Sequence, residues 1–118
     1  MTLKIYGIKT CDTVRKARKW LEAEGIGHTF HDFREDGIEE GTLSAWASEL
    51  GWEVLVNKRG TTFRKLDEAE KQVGNADQAV KLMAAYPAII KRPVFDTGGK
   101  RLVGFTDAVK GELSALTG

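Results

Sequence analysis

An α/β fold built on a mixed sheet is predicted for this chain by three observations. A β-prone segment, a helical stripe and a second β-prone segment follow one another within the first 33 residues. A block of helical stripes fills the middle of the chain. Two short apolar runs joined by a glycine turn then precede a final amphipathic segment. With 118 residues, 42% of them apolar, the chain has enough material for the core of a single domain spanning 1–118.

The elements follow in order. Leu3-Lys4-Ile5-Tyr6 alternates and is β-prone, Gly7 breaks the pattern, and the polar turn Ile8-Lys9-Thr10 leads to Cys11. Val14, Ala17 and Leu21, with Trp20 beside them, hold helical spacing up to a stop at Gly25, which gives a first helix over roughly 11–24. Ile26 to Phe33 is rich in β-formers and ends near the turn signal Asp36-Gly37, so the first third reads as a βαβ unit with parallel strands. Leu43, Trp46, Ala47 and Leu50 form a helical stripe closed by Gly51, and Phe63–Val73 and Ala76–Tyr86 also read as helices. They make a helical insertion over about 38–86. Pro87 ends it, Ala88-Ile89-Ile90 reads as a short buried strand, and Lys91-Arg92-Pro93 leads into a strand at Val94-Phe95-Asp96. Gly98-Gly99 turns the chain into Arg101-Leu102-Val103. Thr106 or Asp107 can cap a last helix with Val109, Leu113 and Leu116 on its apolar face. The order β-α-β, helices, β-β-α is the thioredoxin-like, glutaredoxin-like plan with an insertion between its halves.

Charged residues make up 30% of the chain, yet the net charge is +1, which argues against a nucleic-acid surface or an acidic tail. No apolar run approaches the roughly 18 residues of a membrane span, and the first residues do not read as a leader, so a cytoplasmic protein is expected. A single cysteine excludes an internal disulfide and a thiolate-rich zinc site. His28 and His31 would point to opposite faces of a strand, so no metal site is expected. Trp20, Trp46 and Trp52 read as packing residues.

Cys11 is either a small buried hydrophobe or a working thiol. Its place at the handover from strand to helix favours the second, because free backbone N–H groups there stabilise a thiolate. The first helix also carries its charges in reverse: Arg15, Lys16, Arg18 and Lys19 crowd its first half while Glu22 and Glu24 sit near its end. That order opposes the helix dipole, and such departures are expected at functional sites; the alternative is a solvated basic surface. Lowering a thiol from about 8.5 to about 6 requires roughly 3.4 kcal/mol, of which a helix terminus supplies about 0.3–2. The remainder must come from a cation close to the sulfur, and Arg15, Arg59 and Arg92 are the candidates. Arg92-Pro93 is placed where a cis bond is accommodated, and Asn57-Lys58-Arg59-Gly60-Thr61-Thr62 is a basic loop able to bind an oxyanion.

Ile5-Tyr6-Gly7-Ile8-Lys9-Thr10-Cys11-Asp12, Asn57-Lys58-Arg59-Gly60-Thr61 and Ile90-Lys91-Arg92-Pro93 together resemble the arsenate reductase family of the ArsC, Spx and YffB type, with the YffB-like branch the nearest. The resemblance covers essentially the whole chain. It implies a nucleophilic Cys11, anion- or glutathione-binding roles for Arg15, Arg59 and Arg92, and a cis Pro93. Arsenate-reducing members have a third arginine where this chain has Phe105 and a histidine where it has Gly7, while Spx-type regulators use a Cys-x-x-Cys switch where it has Val14. The expectation is therefore a glutathione-dependent thiol reductase with no bound cofactor. Glutathione would be co-substrate and external resolving thiol, glutaredoxin a further partner, and an oxidised thiol or an oxyanion would be the substrate. The protein is expected to act as a monomer. The alternatives are a glutathione- and glutaredoxin-dependent arsenate reductase and an Spx-like regulator that binds RNA polymerase without catalysis.

Overall fold

Four strands in the order β2-β1-β3-β4 make the sheet of a computed structural model that describes residues 3–117. Strand β1 (Leu3–Gly7) runs parallel to β2 (His28–Asp32), with Ile5 opposite Phe30. It runs antiparallel to β3 (Val94–Asp96), which is antiparallel in turn to β4 (Arg101–Val103). The mixed sheet expected from the element order is thus present. Helix α1 (Asp12–Ala23) supplies the crossover between β1 and β2, burying Val14, Ala17 and Leu21. Helix α2 (Glu40–Leu50), the short helices α3 (Trp52–Leu55) and α4 (Thr61–Arg64), and α5 (Ala76–Ala85) follow, and α6 (Asp107–Thr117) closes the chain.

The chain divides into two compact units. One is Asp36–Lys91, which contains the helices α2 to α5; the other joins the segments on either side of it. In the sheet unit Leu3, Ile5, Ala17, Leu21, Ile26, Phe95, Val109 and Leu113 form one buried cluster, with Trp20, Phe30, Leu102 and Phe105 packed against it. In the helical unit Leu43, Trp46, Leu55, Phe63, Val80, Met83 and Ile90 are buried.

Three sequence expectations are corrected. Residues 63–73 do not form a helix: α4 ends after one turn, and Asp67 Oδ1 accepts the Glu70 N–H at 2.8 Å, a local side-chain bond that competes with helix propagation. Ala88-Ile89-Ile90 is not a sheet strand. Pro87–Ile89 is a turn of 3₁₀ helix, and Ile90 bridges Val56, with the Asn57 N–H donating to the Ile89 carbonyl (2.8 Å) and the Lys91 N–H to the Leu55 carbonyl (2.7 Å). Ile89 and Ile90 are buried, as their apolar pattern implies, but the hydrogen bonds of this segment go to the helical unit. Leu116, assigned to the apolar face of α6, is 46% exposed, while Val109 and Leu113 are buried.

Candidate functional site

Strand β1 delivers the chain to Gly7, where a Cβ would meet Val14 Cγ2 at 2.6 Å. The start of α1 is therefore pressed onto the end of β1, a close approach only glycine permits. A tight turn follows, in which the Cys11 N–H donates to the Ile8 carbonyl at 2.9 Å. Cys11 has extended backbone and is the N-cap of α1, its carbonyl accepting the Arg15 N–H at 3.0 Å.

The thiol is half-buried and forms no disulfide. Burial pushes its pKa up; the Val14 N–H, the Arg92 guanidinium through hydrogen bonding and charge, and the Thr13 N–H outweigh burial and hold it below the ordinary value. The side chain closes no capping hydrogen bond of full geometry, so the two amides act as nearby donors that favour the thiolate over the thiol. The Arg92–Pro93 peptide is cis and Pro93 is buried, its carbonyl accepting the Gly104 N–H at 2.8 Å. The structure thus brings Cys11 and Arg92 together, from residues 81 positions apart in the sequence.

Arg15 does not join them. Its Nη2 donates to Asp12 Oδ1 at 2.6 Å and to the Thr10 carbonyl at 3.3 Å, and it is absent from the groups that act on the sulfur. With Asp12, Lys16 and Lys19 it lines a shallow hollow of about 250 Å³ on the exposed face of α1. Arg18, grouped with these bases by sequence, leaves them: its guanidinium lies over the Phe30 ring at 4.2 Å. Arg59 is exposed in the helical unit, its amide donating to Asn57 Oδ1 at 3.2 Å. Phe105 meets Trp20 edge-on at 5.8 Å and Phe95 at 6.5 Å, with Lys110 Nζ over its ring, and is part of the packing around the core.

The free backbone N–H groups expected at the helix start are those of Val14 and Thr13; sequence reasoning missed a different residue, Asp32. It left a signal: an aspartate followed by Phe-Arg-Glu, where its carboxylate can accept the next free N–H groups.

A sequence profile of the ArsC family matches residues 6–112. An uncharacterised protein of Haemophilus influenzae is 46% identical over 105 residues, 89% of this chain and 92% of its own length. Global transcriptional regulator Spx 1 of Bacillus cereus is 27% identical, covering 87% of this chain and 79% of its own. Among solved structures, one named YFFB is 45% identical with a TM-score of 0.89, covering 93% of this chain and 96% of that one. An arsenate reductase (ArsC) related protein from Brucella melitensis is 46% identical with a TM-score of 0.77, covering 95% and 93%.

Proposed function

We propose, from the premise that this chain belongs to the ArsC family, that it is a glutathione-dependent thiol reductase in which Cys11 is the nucleophile. The observation that carries the reading is a thiol held acidic beside Arg92 in a chain with one cysteine. The Cys11 thiolate attacks the glutathionyl sulfur of a mixed disulfide R–S–S–G. The R–S bond breaks with its electron pair, RS⁻ takes a proton, and Cys11 is left as a mixed disulfide with glutathione. A second glutathione thiolate attacks that glutathionyl sulfur, releasing oxidised glutathione and the Cys11 thiolate. The incoming glutathione thiol is oxidised to the disulfide level as the substrate sulfur is reduced to a thiol, the glutathionyl carried on Cys11 staying at the disulfide level throughout. The resolving thiol must be external because the chain has one cysteine.

Arg92 would stabilise the sulfur anion and hold an anionic group of the incoming substrate. On the family resemblance, Arg59 is proposed as a further anion-binding group. Reduction of arsenate by the same thiolate is the second reading, favoured by the Brucella relative's description. Phe105 weighs against it: the aromatic side chain offers no charge to an oxyanion and is engaged with Trp20 and Phe95. An Spx-like regulatory role finds no switch in Val14, which is fully buried and carries no thiol.

Incubation with oxidised glutathione followed by mass spectrometry tests the reading. The expected product is one glutathione adduct on Cys11, removed by added reduced glutathione. A glutathionylated peptide should be reduced by the wild type and not by Cys11→Ser. Turnover of arsenate with glutathione and glutaredoxin, with the peptide ignored, would replace this reading by the second. Absence of any adduct would sink the thiol reductase reading.

A further inference from the structure

Asp32, the last residue of β2, is 2% exposed. Its two carboxylate oxygens serve different segments. Oδ2 accepts the Lys9 N–H at 2.9 Å, across 23 residues of sequence. Oδ1 accepts the Arg34 N–H at 2.7 Å and the Glu35 N–H at 3.1 Å. The same two segments are joined by the Phe33 N–H donating to the Gly7 carbonyl at 2.8 Å and by an ion pair of Lys9 with Glu35. Lys9 stands two residues before Cys11, in the turn whose Ile8 carbonyl accepts the Cys11 N–H.

We propose that Asp32 is a positioning residue for Cys11, clamping the Ile8–Thr10 turn so that the sulfur stays against the Val14 and Thr13 amides and Arg92. This rests on reading Cys11 as the nucleophile. Asp32 is not among the groups that act directly on the sulfur, so its effect passes through the backbone. A buried carboxylate persists only where donors satisfy it, and here every one of these donors is a backbone amide that fixes a turn. Burial pushes the Asp32 carboxyl up, and the Lys9, Glu35 and Arg34 amides with the Lys9 charge bring it below its ordinary value.

Asp32→Asn is the sharp variant. It is isosteric, but its single acceptor oxygen can serve Lys9 or the Arg34 and Glu35 pair, and not both, because its Nδ2 would face an N–H. Glu35→Gln removes the exposed ion pair and leaves the carboxylate clamp intact. The readout is the pH midpoint of Cys11 alkylation, with circular dichroism to confirm the fold. Asp32→Asn should raise that midpoint by about one unit, roughly a tenfold loss of thiolate at pH values below it, and Glu35→Gln should leave it in place. A folded Asp32→Asn with the wild-type midpoint overturns the positioning role alone. A wild-type midpoint at or above about 8.5 overturns the nucleophile reading beneath it. Should Asp32→Asn not fold, the wild type decides by NMR. The Lys9 and Cys11 amide protons should titrate together with Asp32, below about 3.9, and a Cys11 amide blind to that titration overturns the proposal.

Discussion

Arg92 is the side chain that acts on the Cys11 sulfur, through a hydrogen bond and through its charge. A hydrogen bond to a charged group contributes about 1.5–3 kcal/mol, less where water reaches the pair. Arg92→Gln is therefore expected to raise the pH midpoint of iodoacetamide alkylation by about one unit. Arg15→Gln should leave it near the wild-type value, because Arg15 is exposed and engaged with Asp12. Equal shifts in the two variants would show that the helix carries a diffuse positive field rather than one placed cation. The need for a remote cation was legible from the acidity arithmetic, and Arg92 was among the candidates. Which of three arginines reaches the sulfur was not, since Arg15 is four residues away in sequence and still bonds elsewhere.

Elements were legible where one periodicity and one clear stop coincide. Helix α1 and strands β1, β3 and β4 fall close to their sequence-based bounds. The last helix also behaves as its capping pattern implies: Thr106 Oγ1 accepts the Val109 N–H at 3.2 Å. Thr106→Ala should destabilise the protein by about 1 kcal/mol, seen as a lower urea midpoint with an unchanged slope. A changed slope would mean that the cap also shapes the unfolded chain. The reading failed over 63–73 and 88–90 for a shared reason. Apolar spacing reports burial, whereas hydrogen-bond partners decide between helix, turn and bridge. The reversed charges of α1 likewise separate once the helix is placed, with Arg18 over Phe30 and Lys16 and Lys19 on the outer face.

For the molecule as a whole, the two depressed groups, Cys11 and Asp32, each add stability that grows with pH. Cys11 has a folded pKa below its unfolded value near 8.5, so the unfolded chain binds more protons between the two. Stability from this source is fully present above about 8.5 and is lost as pH falls through the lower, folded value. Unfolding free energy measured between pH 6 and about 9 should rise more steeply with pH in the wild type than in Cys11→Ser; parallel curves would refute the depressed thiol. Asp32 acts in the same sense further down, its contribution present above about 3.9 and lost as pH falls through its depressed value. The sequence by itself determined the mixed α/β plan, the helical block within it and the lone thiol at a helix start, because these depend on periodicity, turn residues and cysteine count. Only the tertiary structure decided that Arg92 and not Arg15 meets Cys11, that Gly7 is required by Val14, and that Asp32 fixes the turn. Those are contacts between distant segments, and local pattern carries no information about which side chains a fold brings within hydrogen-bonding distance.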